Sequence, residues 1–154
     1  MGELVRLVLI SLINNNLLFN GKSSEKLNTR YEFFTKYVSE IESQAESVYT
    51  LTREVLSEIG VQNPSDEDCE IVRYICELVS RRSARLVASA LASLILRVGE
   101  KEITIGVDGS VYRFHPRFHD LMTEAVQELI PSSYKFQFVL SEDGSGRGAA
   151  LVAA

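Results

Sequence analysis

Residues 103–114 read Ile-Thr-Ile-Gly-Val-Asp-Gly-Ser-Val-Tyr-Arg-Phe, and at this stretch the sequence changes from helical to strand-like patterning. The first apolar residues alternate with small or polar ones, which is typical of a strand with one buried face. Asp108-Gly109 is a strong signal for a two-residue turn, and the apolar residues that follow it indicate a return strand. The stretch therefore predicts a β-hairpin, and with it a fold that contains both helices and strands.

The residues before this stretch favour helices. Apolar residues recur at intervals of three or four from Val72 to Val98, and Gly99 follows them as a stop signal. Ser65 and Asp68 precede the run with the spacing of a capping box, in which Asp replaces the usual Glu. The spacing predicts one long helix that crosses a sizeable core.

Shorter patterns place the remaining elements. We expect a mostly apolar, buried helix over 4–13, a short helix over 35–43, a helix that ends before Gly60, a helix between Pro116 and Pro131, a strand over 136–140 and a helix over 149–154. The predicted fold class is therefore α/β, with a helix-rich N-terminal half followed by a β-hairpin, a helix, a strand and a helix. The first helix lacks a capping residue and the last ends within its apolar stripe, so we expect a domain truncated at both ends.

Charge and hydropathy exclude several classes of protein. The 154 residues include 16 Lys or Arg and 21 Asp or Glu, and the formal net charge is −5. The basic residues form no cluster of the kind that neutralises phosphates, which argues against a nucleic-acid partner. The N-terminal apolar run contains Arg6 and lacks a cleavage site, and no charge-free run reaches the length of a membrane span. We expect a cytoplasmic protein.

The two cysteines favour the same compartment. Cys69 and Cys76 are seven residues apart in the predicted long helix, which separates them by about 10 Å along its axis, too far for a disulfide. Both fall on the apolar stripe, so we expect buried free thiols, as suits a reducing compartment.

His115 and His119 have the four-residue spacing of a zinc-binding helix. Pro116, however, stands where that motif requires Glu, and it places His115 at or before the start of the helix. The two rings then need not share a face. We expect no metal site here.

Three further features allow two interpretations each. The glycine-rich run 144–148 lies between a predicted strand and a predicted helix, where backbone amides can hold an anion, although a flexible turn explains it equally well. The small residues of 106–110 would let a nucleotide approach the backbone, but a tight turn also requires them. Thr35 and Ser39 lie one helical turn apart, but helical hydroxyls usually face water or bond to their own backbone.

Taken together and in order, these segments resemble one family, the hexokinases, and among them glucokinase in particular. The likeness covers essentially the whole chain and rests on Met1-Gly2-Glu3-Leu4-Val5-Arg6, Asn16-Leu17-Leu18-Phe19, Thr29-Arg30, Val38-Ser39-Glu40-Ile41-Glu42-Ser43, Gly106-Val107-Asp108-Gly109-Ser110-Val111-Tyr112 with His115-Pro116, and Ser141-Glu142-Asp143-Gly144-Ser145-Gly146-Arg147-Gly148-Ala149-Ala150-Leu151-Val152.

The resemblance implies part of the large lobe of an actin-like ATPase fold, which is ribonuclease H-like. It implies a kinase that uses ATP with Mg²⁺ to phosphorylate the 6-hydroxyl of glucose and related hexoses. The run 144–148 resembles a connecting segment between lobes rather than an ATP contact. The positions that resemble the nucleotide-binding residues of the family are Thr35, Ser39, Gly109, Ser110, Val111 and Tyr112.

Other parts of the family pattern have no counterpart in these 154 residues. They are the catalytic aspartate, the sugar-binding residues and the first phosphate-binding turns. Phosphoryl transfer depends on positioning and electrostatics around the phosphates and the metal. We therefore expect no catalytic or metal-ligating residue here and no activity from this chain alone. The alternative to a fragment of a hexose kinase is a truncated, non-catalytic product that acts as a binding or regulatory module.

Overall fold

The computed structural model describes residues 1–45, 47–141 and 144–153, and these form two compact units. Unit 1 comprises Met1–Ser83 with His115–Arg117, and unit 2 comprises Ala84–Phe114 with Phe118–Ala154. Whether they form parts of one large-lobe domain stays a prediction.

Unit 1 is helical. It contains α1 (Gly2–Asn14), a 3₁₀ turn (Phe19–Gly21), α2 (Glu25–Asn28), α3 (Thr35–Glu42), α4 (Thr50–Glu58) and the first half of α5 (Asp66–Val98). Unit 2 contains the second half of α5, then β1 (Glu102–Val107), α6 (Ser110–Phe114), α7 (Phe118–Leu129), β2 (Lys135–Leu140) and α8 (Gly144–Ala153).

Helix α1 packs one face into the core of unit 1. Val5, Leu9 and Ile13 are almost completely buried, at the spacing of one helical face. The predicted burial on most sides is wrong in part, because Leu7 on another face is 51% exposed. At the start of the helix, Gly2 lies against the backbone of residues 33–35 so closely that no side chain fits there.

A buried arginine ties α1 to α2, and its partner Glu3 ties α1 to the segment after α2. The Arg6 guanidinium donates to the Leu27 carbonyl at 2.7 Å and to both carboxylate oxygens of Glu3 at 2.8 Å. The Tyr31 amide also donates to Glu3, at 2.9 Å. The hydrogen bonds that Glu3 accepts lower its pKa to about 2, and the largest contribution comes from Arg6, followed by Tyr31.

The predicted start and end of the long helix are confirmed. The Ser65 amide donates to Asp68 Oδ2 at 2.9 Å and the Asp68 amide donates to Ser65 Oγ at 3.1 Å, which is the reciprocal geometry of a capping box. Gly99 ends the helix with a positive φ of 78°, a conformation that glycine adopts without strain. Between them α5 runs for 33 residues.

Cys69 and Cys76 are both buried and free, as predicted. Both lie on the face of α5 that joins the core of unit 1. Burial raises the pKa of each thiol, so both are protonated, unreactive members of the core.

The predicted β-hairpin is wrong. Strand β1 pairs with β2 in parallel, in a register that runs from Glu102↔Lys135 to Val107↔Leu140, and residues 110–114 form helix α6 instead of a return strand. A two-residue turn cannot join parallel strands, which need a longer connection, and here α6 and α7 provide it. Of the two turn residues, Gly109 has positive φ and Asp108 does not, so the hairpin turn geometry is not adopted.

The two strands form a sheet with one half-buried face. The core of unit 2 combines alanines and larger apolar residues of α5 and α7, and alternate residues of both strands pack against it: Ala88, Ala92, Ile95, Ala125, Val126 and Ile130, with Ile103, Ile105, Phe136 and Phe138. The alternating exposure of β1 follows from this packing. Because the two strands are parallel, their carboxyl ends lie at the same edge of the sheet.

The last helix begins earlier than predicted. α8 includes the glycine-rich run, because the helix begins at Gly144. A side chain at Gly144 would meet the Ser141 hydroxyl, which would have to rotate away. Glu142, Asp143 and Ala154, which belong to the quoted segment and the predicted helix, lie outside the described residues.

In the part of the chain that the structure describes, no helix is both long enough and apolar enough to cross a bilayer.

Replacing Gly2 by Ala should destabilise unit 1. The added methyl group would collide with the Phe33 carbonyl oxygen and lie 2.9 Å from the Thr35 amide nitrogen, and backbone atoms cannot move away cheaply. We expect the free energy of unfolding, measured in urea, to fall by about 1–3 kcal/mol. The control is Gly148→Ala, where no described atom lies within 4 Å of the new methyl group and helix propensity should leave stability unchanged or higher.

Replacing Glu3 by Gln should remove a stabilisation that depends on pH. The folded-state pKa of about 2 lies below the ordinary value of 4.5, so the Glu3 carboxylate stabilises the fold above about pH 4.5. That stabilisation is lost as the pH falls from there towards 2. In urea titrations the wild-type chain should exceed Glu3→Gln in stability at pH 7, and the difference should vanish near pH 2. A difference that is constant with pH would contradict this account, and Glu54→Gln, at an exposed position on α4, is the control.

Candidate functional site

The predicted site residues fall in two places. Thr35 and Ser39 lie on α3 in unit 1, and residues 109–112 follow the carboxyl end of β1 in unit 2. The structure brings the members of each group together within its own unit.

The two hydroxyls on α3 differ in their hydrogen bonding. Thr35 is the first residue of the helix, and its Oγ1 accepts a hydrogen bond from the Gly2 amide at 3.2 Å. Ser39 lies one turn later and is half-buried, and its hydroxyl makes no hydrogen bond within residues 1–45, 47–141 and 144–153. The Ser39 hydroxyl therefore keeps its donor and both acceptor positions for a ligand, whereas Thr35 Oγ1 has already used one acceptor position.

The carboxyl end of α3 is fixed by a buried polar cluster, which we call the Glu42 cluster (Glu42, Ser80 and His115). Ser80 Oγ donates to Glu42 Oε1 at 2.5 Å and lies 3.0 Å from His115 Nε2, which is 3.3 Å from the same carboxylate oxygen. The Arg117 amide donates to His115 Nδ1 at 3.2 Å, so the neutral ring carries its hydrogen on Nε2. These contacts join α3, α5 and the segment His115–Arg117.

The Glu42 cluster combines serine, histidine and glutamate, but it is not a nucleophilic site. The His115 and Glu42 side chains are 0% and 1% exposed, so no substrate reaches them. The Ser80 hydroxyl donates to the carboxylate and not to the imidazole, the reverse of what activation of a serine requires. The cluster positions helices. Sequence reasoning missed it, although a glutamate on the apolar face of α3, next to Val38 and Ile41, was a usable signal.

The histidines have separate contacts. His115 belongs to the Glu42 cluster, whereas His119 is exposed on α7 with its Nδ1 2.6 Å from the Tyr112 hydroxyl. Across the described ranges, no group of three or more His, Cys, Asp and Glu is placed to hold a metal ion.

Open backbone marks the carboxyl edge of the sheet in unit 2. The Ser141 amide donates to the Val107 carbonyl at 2.9 Å, which extends the pairing of the strands to this edge. At Gly106 and Gly109 no described atom lies within 4 Å of where a side chain would begin, and Gly109 has a φ of 143° that favours glycine. Ligands of open parallel sheets bind at the carboxyl ends of the strands. This edge can accept a ligand in direct contact with the main chain.

Tyr112 completes this edge. Its ring makes edge-to-face contacts with the rings of His119 and Phe138, at centroid distances of 5.5 Å and 6.3 Å. Burial raises the pKa of the Tyr112 hydroxyl, which therefore stays protonated and lies 2.6 Å from His119 Nδ1. Sequence reasoning included Tyr112 and missed its partner His119.

A separate surface groove of about 490 Å³ in unit 1 contains none of the predicted residues. It is lined by Ser47, Tyr49, Glu67, Glu70, Ile71, Arg73, Tyr74 and Glu77. Its one guanidinium, that of Arg73, is paired with Glu77 at 3.2 Å. Three glutamates with one neutralised cation would repel a polyphosphate, so the groove is a poor candidate for a nucleotide site.

Comparisons with known proteins agree on one family. A family model described as hexokinase matches residues 1–154. A hexokinase of Brugia malayi is 42% identical over 154 residues, which are 100% of this chain and 27% of that protein. Hexokinase-2 of Equus caballus is 46% identical over 160 residues, covering 100% of this chain and 17% of that protein.

A solved structure has the same fold. The hexokinase from Schistosoma mansoni complexed with glucose matches with a TM-score of 0.93 and 39% identity, over 99% of this chain and 34% of that one. Across these relatives, the chain therefore spans between 17% and 34% of their length.

Proposed function

The chain belongs to the hexokinase family, and from that premise we propose that it is part of an ATP-dependent kinase that phosphorylates the 6-hydroxyl of hexoses such as glucose. In this proposal residues 109–112 form a wall beside the adenosine, and Thr35 and Ser39 contribute hydroxyls to nucleotide binding. No catalytic residue and no sugar contact is assigned to these 154 residues.

One observation carries the proposal: the backbone at the carboxyl edge of β1 is uncovered at Gly106 and Gly109. The base of a nucleoside is flat and can approach a bare backbone closely, which a side chain at either position would obstruct. The same edge is where parallel sheets bind ligands. The glucose bound by the S. mansoni hexokinase supports a hexose as the phosphate acceptor.

Magnesium fits this proposal as a companion of ATP. Mg²⁺ keeps most of its water and is commonly held by substrate phosphates with few protein ligands. The adenosine side of such a site then needs no metal ligand of its own. The proposal includes a cytoplasmic location, which the two free, buried thiols support.

Replacing Gly106 by Val tests the nucleotide edge. The strand tolerates valine, because no described atom lies within 4 Å of the new Cβ and β-branched residues suit strands. We expect the urea midpoint to hold and the Kd for MgADP, measured by calorimetry, to rise at least about ten-fold, or 1.4 kcal/mol. The matched control is Thr104→Val on the same face of β1, two residues from the edge, which should keep the Kd. Equal affinity of wild type and Gly106→Val for MgADP would contradict the proposal that the nucleotide lies against the backbone at Gly106.

The 154-residue chain should bind nucleotide without turning it over. Phosphoryl transfer requires protein groups that position the ATP phosphates and the metal ion and stabilise their charge. The proposal assigns none of these groups to the chain. A coupled assay for glucose-dependent ADP release should give the blank rate with this chain, while the full-length Brugia malayi hexokinase serves as the positive control. Turnover above the blank would mean that the chain contains a catalytic base that this account has not identified.

A further inference from the structure

We propose that His119 is a positioning residue that holds the short helix α6 through Tyr112 and so sets where residues 109–112 lie. The inference rests on the proposed nucleotide role of that segment and goes beyond it by naming what keeps the segment in place.

Helix α6 cannot hold its own position. It has five residues, and isolated helices shorter than about 12 residues are not stable in water. Gly109, which precedes it, brings more backbone freedom than any other residue would. The first turn of α6 is closed by a hydrogen bond from the Arg113 amide to the Gly109 carbonyl at 3.1 Å. The location of α6 must therefore come from contacts with other elements.

The contact with α7 is specific. The Tyr112 hydroxyl lies 2.6 Å from His119 Nδ1, and both rings meet Phe138 of β2 edge-on, at centroid distances of 6.3 Å and 6.0 Å. In the proposed tether the hydroxyl donates to Nδ1. Among the hydrogen bonds of the described residues, this is the one that joins an α6 side chain to another element. It requires the neutral ring to carry its hydrogen on Nε2, since Nδ1 accepts.

His119 is carried by a rigid element and is itself exposed. Helix α7 has 12 residues and buries Phe118, Met122, Ala125 and Val126 in its amphipathic face. The His119 side chain lies outside that buried set, so its replacement leaves the core intact. His119 can therefore act as a tether. It is carried by the well-packed helix α7, and its contact with Tyr112 links α7 to the short helix α6.

The test uses the 154-residue chain with His119→Phe, Tyr112→Phe, the double variant and His119→Asn. Phenylalanine keeps a ring at position 119 and removes the acceptor, whereas asparagine places Oδ1 where Nδ1 was. We expect hydrogen exchange of the Arg113 amide to accelerate about five-fold in His119→Phe and in Tyr112→Phe, with no further gain in the double variant. His119→Asn should exchange like wild type, and the urea midpoint of all four should be unchanged. Unchanged Arg113 exchange in both single variants would overturn the proposal.

Two further readouts separate this proposal from the nucleotide role. The ¹⁵N shifts of the His119 ring should show the Nε2–H tautomer, and a hydrogen on Nδ1 would overturn the tether. The Kd for MgADP should rise about five-fold, or about 1 kcal/mol, in His119→Phe and recover in His119→Asn. If no variant and not even the wild type binds MgADP while Arg113 exchange behaves as expected, the tether stands and the proposed nucleotide role fails.

Discussion

The hydrogen bond from Ser80 to the buried carboxylate of Glu42 is the constraint on which the arrangement of α3 depends. Glu42 Oε1 accepts from Ser80 and lies 3.3 Å from His115 Nε2, so α3, α5 and the segment His115–Arg117 cannot shift independently without breaking buried hydrogen bonds. At its other end α3 is fixed by the bond between Gly2 and Thr35. Helix α3 is therefore held at both ends, and Ser39 lies between them with its hydroxyl available to a ligand.

In unit 2 the main structural feature is uncovered backbone at the carboxyl edge of the sheet. Parallel pairing of β1 and β2 sends both chains to one edge, where glycines leave the main chain uncovered. Helix α6 follows that edge and contacts α7 through Tyr112 and His119. This α/β arrangement matches the hexokinases, which have an actin-like ATPase fold, and it confirms the predicted fold class apart from the hairpin.

Sequence reasoning succeeded where the signal was local. The Ser65–Asp68 capping box, the 33-residue helix and the stop at Gly99 each follow from residues within a few positions of one another. It failed where partners are distant. The partners in the Glu42 cluster are 38 and 73 residues away from Glu42, and no spacing rule connects them.

The hairpin prediction failed for the same reason. Asp108-Gly109 suits both a hairpin and a strand-to-helix turn, and the strand that pairs with β1 begins 33 residues after the start of β1. The family resemblance supplied the nucleotide role of Thr35, Ser39 and the segment 109–112, for which spacing and composition alone left two interpretations open.

The central claim is that this chain provides the adenosine side of a nucleotide site. The most direct measurement is the change in backbone amide NMR shifts when MgADP is added to the ¹⁵N-labelled 154-residue chain. The account predicts saturable shifts centred on Gly109, Ser110, Val111 and Tyr112, with further shifts at Thr35 and Ser39. Shifts centred instead on the groove lined by Tyr49, Glu67 and Tyr74, or no saturable shifts at all, would contradict it.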